Sequence, residues 1–282
     1  MAMTKRIIAR LDIKGPNLVK GIHLEGLRVL GKPEDFARYY YEQGAEELMY
    51  VDVVASLYER NSLEDIIRRT ASEIFIPLTV GGGIRTIADI RKVLLAGADK
   101  VSLNTAAIRN PELIREASRY FGSSTIVVSI EAIKQLDGRY LAYIDNGREH
   151  TGVEVVEWAK RAEELGAGEI VLTSVDREGT GLGYDIELIK CVASRVSLPV
   201  VACGGAGKTG HVVAAMVDGG ADAVAVASLF HYEYVTKHSS VGDFSSEGNT
   251  EFLRKNVSFS KICPASIAQV KENMKSFGLP TR

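Results

Sequence analysis

Ile76-Pro-Leu-Thr-Val-Gly-Gly-Gly83 and Leu198-Pro-Val-Val-Ala-Cys-Gly-Gly205 are two versions of one signal, 122 residues apart (198 − 76). Each is a short apolar run that ends in glycines just before a helical stretch, as expected of a parallel strand buried on both faces. Other segments repeat at nearly the same offset. Gly44-Ala-Glu-Glu-Leu48 returns as Gly166-Ala-Gly-Glu-Ile170 at 122 (166 − 44), and Gly97-Ala-Asp-Lys-Val101 as Gly220-Ala-Asp-Ala-Val224 at 123 (220 − 97). Leu11-Asp12 aligns more loosely with Ile130-Glu131 at 119 (131 − 12). One Gly-Ala-Asp is an ordinary helix-to-strand turn, but a series in the same order points to two duplicated halves.

Six further β-rich runs complete the pattern: Ile7–Asp12, Leu48–Asp52, Lys100–Leu103, Thr125–Ile130, Ile170–Ser174 and Ala223–Ala227, beside Leu78–Gly81 and Val200–Cys203. Amphipathic stretches separate them: Pro33–Gly44, Leu63–Ile74, Thr86–Gly97, Pro111–Phe121, Val153–Gly166, Asp185–Val196 and Gly210–Gly219, with a last helix over Pro264–Phe277. Pro33 and Pro111 suit first helical turns, and Gly44, Gly97 and Gly166 suit helix ends. Eight alternating strand–helix units predict an α/β fold, a (β/α)8 TIM barrel built from two duplicated half-barrels, with an open doubly wound sheet as the alternative. One domain then spans residues 1–282, carrying a polar insertion at about 235–262 before the last helix. Following the eighth strand, that insertion should lie on the catalytic face.

Composition narrows the function. A formal net charge of −2 excludes the basic excess of a general nucleic-acid or membrane-surface binder. No apolar run reaches the ~18 residues of a membrane span, and Met1–Leu11, with Lys5, Arg6 and Arg10, does not read as a signal peptide. Cys191, Cys203 and Cys263, an odd number with no CxxC spacing, read as reduced thiols of a cytoplasmic protein and argue against zinc. No cofactor and no metal are expected.

The chemistry gathers at the predicted strand ends. Gly81-Gly-Gly-Ile-Arg85 and Gly204-Gly-Ala-Gly207 each join a strand to a helix, where glycines let backbone N–H groups approach a phosphate. Asn104 and Thr105 after the fourth strand, and Ala227 and Ser228 after the eighth, stand beside these loops. A phosphate site near strands seven and eight is usual in barrels, and the twofold repeat predicts another near strands three and four. The sites expected are Gly83 with Asn104 and Thr105, and Gly179 with Gly205, Ala227 and Ser228; together they imply a substrate phosphorylated at both ends. Asp12 and Glu131 end the first and fifth strands, diametrically opposed, and could serve as general acid and base if their surroundings drive their pKa values apart. Asp52 and Asp176 form a second related pair, which could instead cap loops or orient neighbours.

Taken together these residues resemble the cyclase subunit of imidazole glycerol phosphate synthase. The resemblance runs from Lys5 to about His231 and resumes in the last helix. It rests on Lys5-Arg-Ile-Ile8, Val19-Lys-Gly21, Thr79-Val-Gly-Gly-Gly-Ile84, Asn104-Thr-Ala106, Leu172-Thr-Ser174, Cys203-Gly-Gly-Ala-Gly207 and Ala227-Ser228. It implies an ammonia-dependent cyclase of histidine biosynthesis. A bis-phosphorylated ribulosyl-formimino aminoimidazole carboxamide ribonucleotide would yield imidazole glycerol phosphate and aminoimidazole carboxamide ribonucleotide. It also implies a separate glutaminase docked at the N-terminal barrel face. By this resemblance Asp12 and Glu131 are catalytic. Lys20, Asp176 and Glu178 bind substrate, and Arg6, Glu47, Lys100 and Glu169 form a charged ammonia gate at the barrel floor.

Several positions depart from the family pattern. Glu131 and Glu178 replace aspartates, Arg10 stands where a small cysteine is usual, Gly15-Pro-Asn17 replaces an acidic-glycine turn, and the insertion after Tyr234 is additional. These departures gather at the active face while the floor ring is intact. They keep open a paralogue that passes ammonia to another acceptor, as in nucleotide-sugar amidation, and a silent partner that only activates a glutaminase.

Overall fold

The computed structural model describes residues 4–55, 63–238 and 261–282. Eight parallel strands close on themselves: β1 (Arg6–Lys14), β4 (Glu47–Asp52), β5 (Leu78–Gly81), β6 (Lys100–Leu103), β7 (Ile126–Lys134), β10 (Glu169–Ser174), β11 (Val200–Cys203) and β12 (Ala223–Val226). The closing ladder sets Arg6 against Ala223 and Ala9 against Val226. Helices α1 (Pro33–Glu42), α2 (Glu64–Ala71), α3 (Ile87–Ala96), α5 (Glu112–Phe121), α6 (Val155–Glu164), α7 (Ile186–Ala193), α8 (Thr209–Val217) and α10 (Ile267–Ser276) follow the expected positions, with α4 (Thr105–Arg109) and α9 (Ser228–Lys237) added. The fold is the (β/α)8 TIM barrel that the alternation predicts. Of the expected insertion, residues 239–260 lie outside the described residues, and 235–237 complete α9.

Strand alternation divides the side chains into two cores. On β1, Ile7, Ala9, Leu11 and Ile13 join the shell between strands and helices. Ile8 packs inside the barrel with Met49, Val127, Val171, Val201 and Ala223. The same parity turns Arg6, Arg10 and Asp12 inward.

The duplication is physical as well as textual. Asp99 accepts from Leu78 N at 2.8 Å, and Asp222 accepts from Val200 N at 3.0 Å, so each Gly-Ala-Asp turn clips the next strand onto the previous one. Gly82 (φ +98°) lies against the end of β4, where a Cβ would sit 2.3 Å from the Asp52 carbonyl oxygen. Gly204 (φ +94°) lies against the end of β10, where a Cβ would sit 2.6 Å from that of Ser174. Only glycine fits either position.

Two antiparallel hairpins interrupt the alternation, neither foreseen from the sequence. β2 (Asn17–Ile22) and β3 (Glu25–Gly31) extend β1; β8 (Tyr140–Ile144) and β9 (Glu149–Glu154) extend β7. Both fold over the C-terminal mouth.

Candidate active site at the barrel mouth

The C-terminal mouth holds a cleft of about 290 Å³ on the β5–β6 side. Gly81, Gly82 and Gly83 form one wall, with Ser102, Asn104, Thr105 and Arg109 beside them, and Arg10 and Glu131 reach in from opposite strands. Asp145 and Asn146, at the β8–β9 turn, complete the rim. Both have positive φ, +51° and +62°, the geometry of a two-residue hairpin turn. Thr105 Oγ1 accepts from Asp145 N at 3.1 Å, which ties that hairpin to the start of α4.

Glu131 is half-buried, and Gly147 N donates to its Oε2 at 2.7 Å. Burial pushes its carboxyl up to about 7, against the Gly147 N–H and the Arg10 cation, which pull it down. Near neutral pH it is partly protonated and able to donate a proton.

Asp12 has the opposite surroundings. It is only 2% exposed and does not line the cleft. Arg10 Nε donates to its Oδ1 at 2.9 Å, and Lys20 Nζ stands 3.6 Å from its Oδ2. Burial would raise its carboxyl, but the Arg10 and Lys20 cations outweigh that and hold it below the usual range. Lys20 is paired in turn with Glu178. Arg10, Asp12, Lys20 and Glu178 thus form a buried chain of alternating charge from the barrel axis to the β10–α7 loop. Burial lowers the Lys20 ammonium, and its two carboxylate partners reverse that, keeping it charged.

The β2–β3 hairpin that carries Lys20 is clamped across the mouth. His23 N donates to the Glu178 carbonyl at 2.8 Å, His23 Nδ1 lies 2.9 Å from the Val175 carbonyl oxygen, and Asn146 Nδ2 donates to the Leu24 carbonyl at 3.1 Å. His23 and Leu24, with φ of +51° and +64°, form its tip. Leucine in that region is uncommon, and such strain collects at functional sites.

The second glycine loop is arranged differently. Gly179, Gly204, Gly205, Ala227 and Ser228 line one small recess, and the buried Glu178 carboxylate lies in it too. The two halves therefore differ: the β5–β6 loop opens onto a cleft, and the β11–β12 loop is narrow and faced by an acid. Asp176 is not brought to either. It is exposed, and its Oδ2 accepts from Lys134 N at 2.8 Å, a contact that orients the loop. Asp52 likewise turns its Oδ1 to Val54 N at 3.1 Å, though it also borders the cleft.

At the other end of the barrel the four floor residues meet. Arg6 Nη1 donates to Glu47 at 3.0 Å and Arg6 also pairs with Glu169; Lys100 Nζ reaches Glu47 at 2.9 Å and Glu169 at 3.0 Å. Thr79 Oγ1 adds a hydrogen bond to Glu47 at 2.6 Å. Two cations and two anions alternate, so each charge has two opposite neighbours.

Among the described residues there is no group of His, Cys, Asp and Glu that could hold a metal ion, and no helix is long and apolar enough to cross a membrane. Sequence reasoning missed Arg109, Ser129, Asp145 and Asn146 at the cleft. For the last two a signal was present, since Asp145-Asn146-Gly147 is turn chemistry that predicts a hairpin.

A closed parallel barrel with inward-facing carboxylates and glycine loops at the C-terminal ends of its strands defines a (β/α)8-barrel enzyme. The model of the family described as "Histidine biosynthesis protein" matches residues 6–236. The chain belongs to that family, as a cyclase subunit of imidazole glycerol phosphate synthase. It is 60% identical to the imidazole glycerol phosphate synthase subunit HisF of Legionella pneumophila, over 72% of this chain and 96% of that protein. The HisF subunit of Lactococcus lactis is 52% identical over 83% of this chain and 91% of its own length. That of Alkaliphilus metalliredigens is 48% identical over 83% and 93%.

Proposed function

We propose that this chain catalyses the ammonia-dependent cyclisation of histidine biosynthesis. It would convert a ribulosyl-formimino aminoimidazole carboxamide ribonucleotide with a phosphate at each end into imidazole glycerol phosphate and aminoimidazole carboxamide ribonucleotide. The observation that carries the mechanism is the contrast between Glu131, whose carboxyl is pushed up to about 7, and Asp12, held ionised by Arg10 and Lys20. Such a pair supplies an acid and a base at one pH.

One phosphate would bind at Gly83, Asn104 and Thr105, and the other at Gly179, Gly205, Ala227 and Ser228. To seat there the second phosphate draws Lys20 away from Glu178, exchanging a carboxylate partner for a phosphate. The same movement frees Asp12 Oδ2, whose cation neighbour on that side is Lys20. Glu131 then donates to oxygen as ammonia adds, and Asp12 accepts a proton as the imidazole ring closes.

The nitrogen would come from a separate glutaminase subunit on the N-terminal face, around Arg6, Glu47, Lys100 and Glu169. The relatives are named as subunits, which supports an assembly. At that face Phe75 is 81% exposed beside a hollow of about 410 Å³ lined by Ile74, Ile76, Pro77 and Asp99. An exposed aromatic next to a hollow is the anatomy of a docking surface.

The test is complementation of a histidine auxotroph lacking the cyclase subunit. Growth on medium without histidine is the expected outcome. Failure of a soluble, expressed chain to restore growth in the presence of the host glutaminase would direct attention to another acceptor.

A further inference from the structure

Arg10 is the group that β1 presents to the cleft. It lines the cavity and Asp12 does not. Its guanidinium is fixed from behind: Nε donates to Asp12 at 2.9 Å, and Nη1 to Thr173 Oγ1 at 3.3 Å and to Cys203 Sγ at 3.1 Å. Nη2 has no hydrogen-bond partner among the described residues, so a planar fork of known orientation offers donors into the cleft. Glu131 borders the same cavity from β7. A fixed cation and a carboxylic acid on opposite walls suit an oxygen that gains negative charge during reaction.

We propose that Arg10 is a catalytic residue of this chain, binding the ketone oxygen of the substrate as ammonia adds to its carbon. This rests on the cyclase reading above, because a ribulosyl group is a ketose and supplies that carbonyl. In the step, the nitrogen lone pair forms the C–N bond and the C=O π pair moves to oxygen. The oxyanion is held by Arg10 and takes a proton from Glu131. The proton shed by nitrogen restores Glu131, giving a carbinolamine with nothing oxidised or reduced. A cysteine, the residue of the usual family pattern at this position, has no such donor fork.

A lesser role would be to keep Asp12 ionised or oriented. The charged and titratable groups around the pair are Lys20 on β2, Glu131 on β7, Glu178 on the β10–α7 loop, Cys203 on β11 and His231 on α9. Ammonium-driven single turnovers of the full chain, with the bis-phosphorylated substrate at pH 5 to 9, separate these roles. The variants are Arg10→Cys and Arg10→Lys, each also in the Asp12→Asn background, and thermal unfolding checks each fold. If Arg10 only tunes protonation, the profile moves along the pH axis and its maximum is unchanged. If Arg10 acts only through Asp12, its substitution costs nothing further in Asp12→Asn. We expect the maximum itself to fall by about 10²–10³-fold in Arg10→Cys, to recover in part in Arg10→Lys, and the loss to persist in Asp12→Asn. Should Arg10→Cys not fold, Arg10→Lys decides alone, with about tenfold or greater loss expected because a point charge cannot reproduce the fork. A folded variant within threefold of the wild-type maximum, or a loss that disappears in Asp12→Asn, overturns the role of Arg10. A wild-type chain inert towards this substrate and ammonium overturns the cyclase reading instead.

Discussion

Gly179 of the β10–α7 loop and Gly21 of the β2–β3 hairpin touch backbone to backbone: a Cβ at 179 would lie 2.4 Å from the Gly21 carbonyl oxygen. Gly179 also has φ +73°, a conformation that suits glycine. This contact lets the hairpin lie across the mouth with Lys20 against Glu178. Gly179→Ala should lift the hairpin, at a cost of about 1–3 kcal/mol in strain. We expect KM for the bis-phosphate substrate to rise about tenfold and the hairpin to become susceptible to limited proteolysis. Unchanged KM and protection would show that the contact is dispensable.

The carboxyl of Glu131, raised to about 7 by burial, should set the basic limb of the rate profile. An acid catalyst must be protonated, so kcat/KM should fall as pH rises through about 7. Because Asp12 is held below the usual carboxylate range, no opposing limb from it is expected above about pH 4. Glu131→Gln should lose the limb near 7 together with most of the activity. Persistence of that limb in the glutamine variant would assign it to another group.

Asp12→Asn removes the carboxylate that stands between the buried Arg10 and Lys20 cations. Turnover with ammonium should drop about 10²–10⁴-fold while calorimetry still detects substrate binding. Near-normal turnover would remove Asp12 from the mechanism.

The acid facing the β11–β12 loop should make that half the weaker of the two proposed phosphate sites. Titration with inorganic phosphate should fill the β5–β6 loop first. Glu178→Gln should tighten the second site about three- to tenfold, since a like-charge neighbour is neutralised. Two equal sites in the wild type, or no change in the variant, would contradict this assignment.

Breaking the floor ring should affect ammonia supply more than chemistry. Glu47→Gln leaves Arg6 and Lys100 sharing Glu169, at a cost of about 1–3 kcal/mol, visible as a lower unfolding temperature. With a glutaminase partner present, glutamine-driven turnover should fall further than ammonium-driven turnover. Equal losses would make the ring purely structural.

The sequence disclosed most of the barrel because its signals are local and repeated. Buried parallel strands are apolar runs, and Gly-Ala-Asp and the glycine loops recur at nearly the same offset, each for a contact made in both halves. Of the two hairpins, β8–β9 carries a local signal in Asp145-Asn146-Gly147, and β2–β3 carries none. β2–β3 turns at His23-Leu24, a pair without Gly, Pro, Asn or Asp, held there by Glu178, Val175 and Asn146 from distant parts of the chain. Strand ends placed Asp12 and Glu131 on opposite walls. Only the fold shows Arg10 standing between Asp12 and the cleft, and Asp176 turned away to Lys134. Such differences arise from tertiary pairing of charges, which spacing along the chain does not encode.

The most direct test supplies the purified chain with the bis-phosphorylated ribulosyl-formimino substrate and either ammonium salts or glutamine, and measures both products. The account predicts imidazole glycerol phosphate and aminoimidazole carboxamide ribonucleotide in equal amounts with ammonium, and neither with glutamine until a glutaminase subunit is added. A folded chain that binds the substrate yet forms no product with ammonium, or that hydrolyses glutamine unaided, would contradict it.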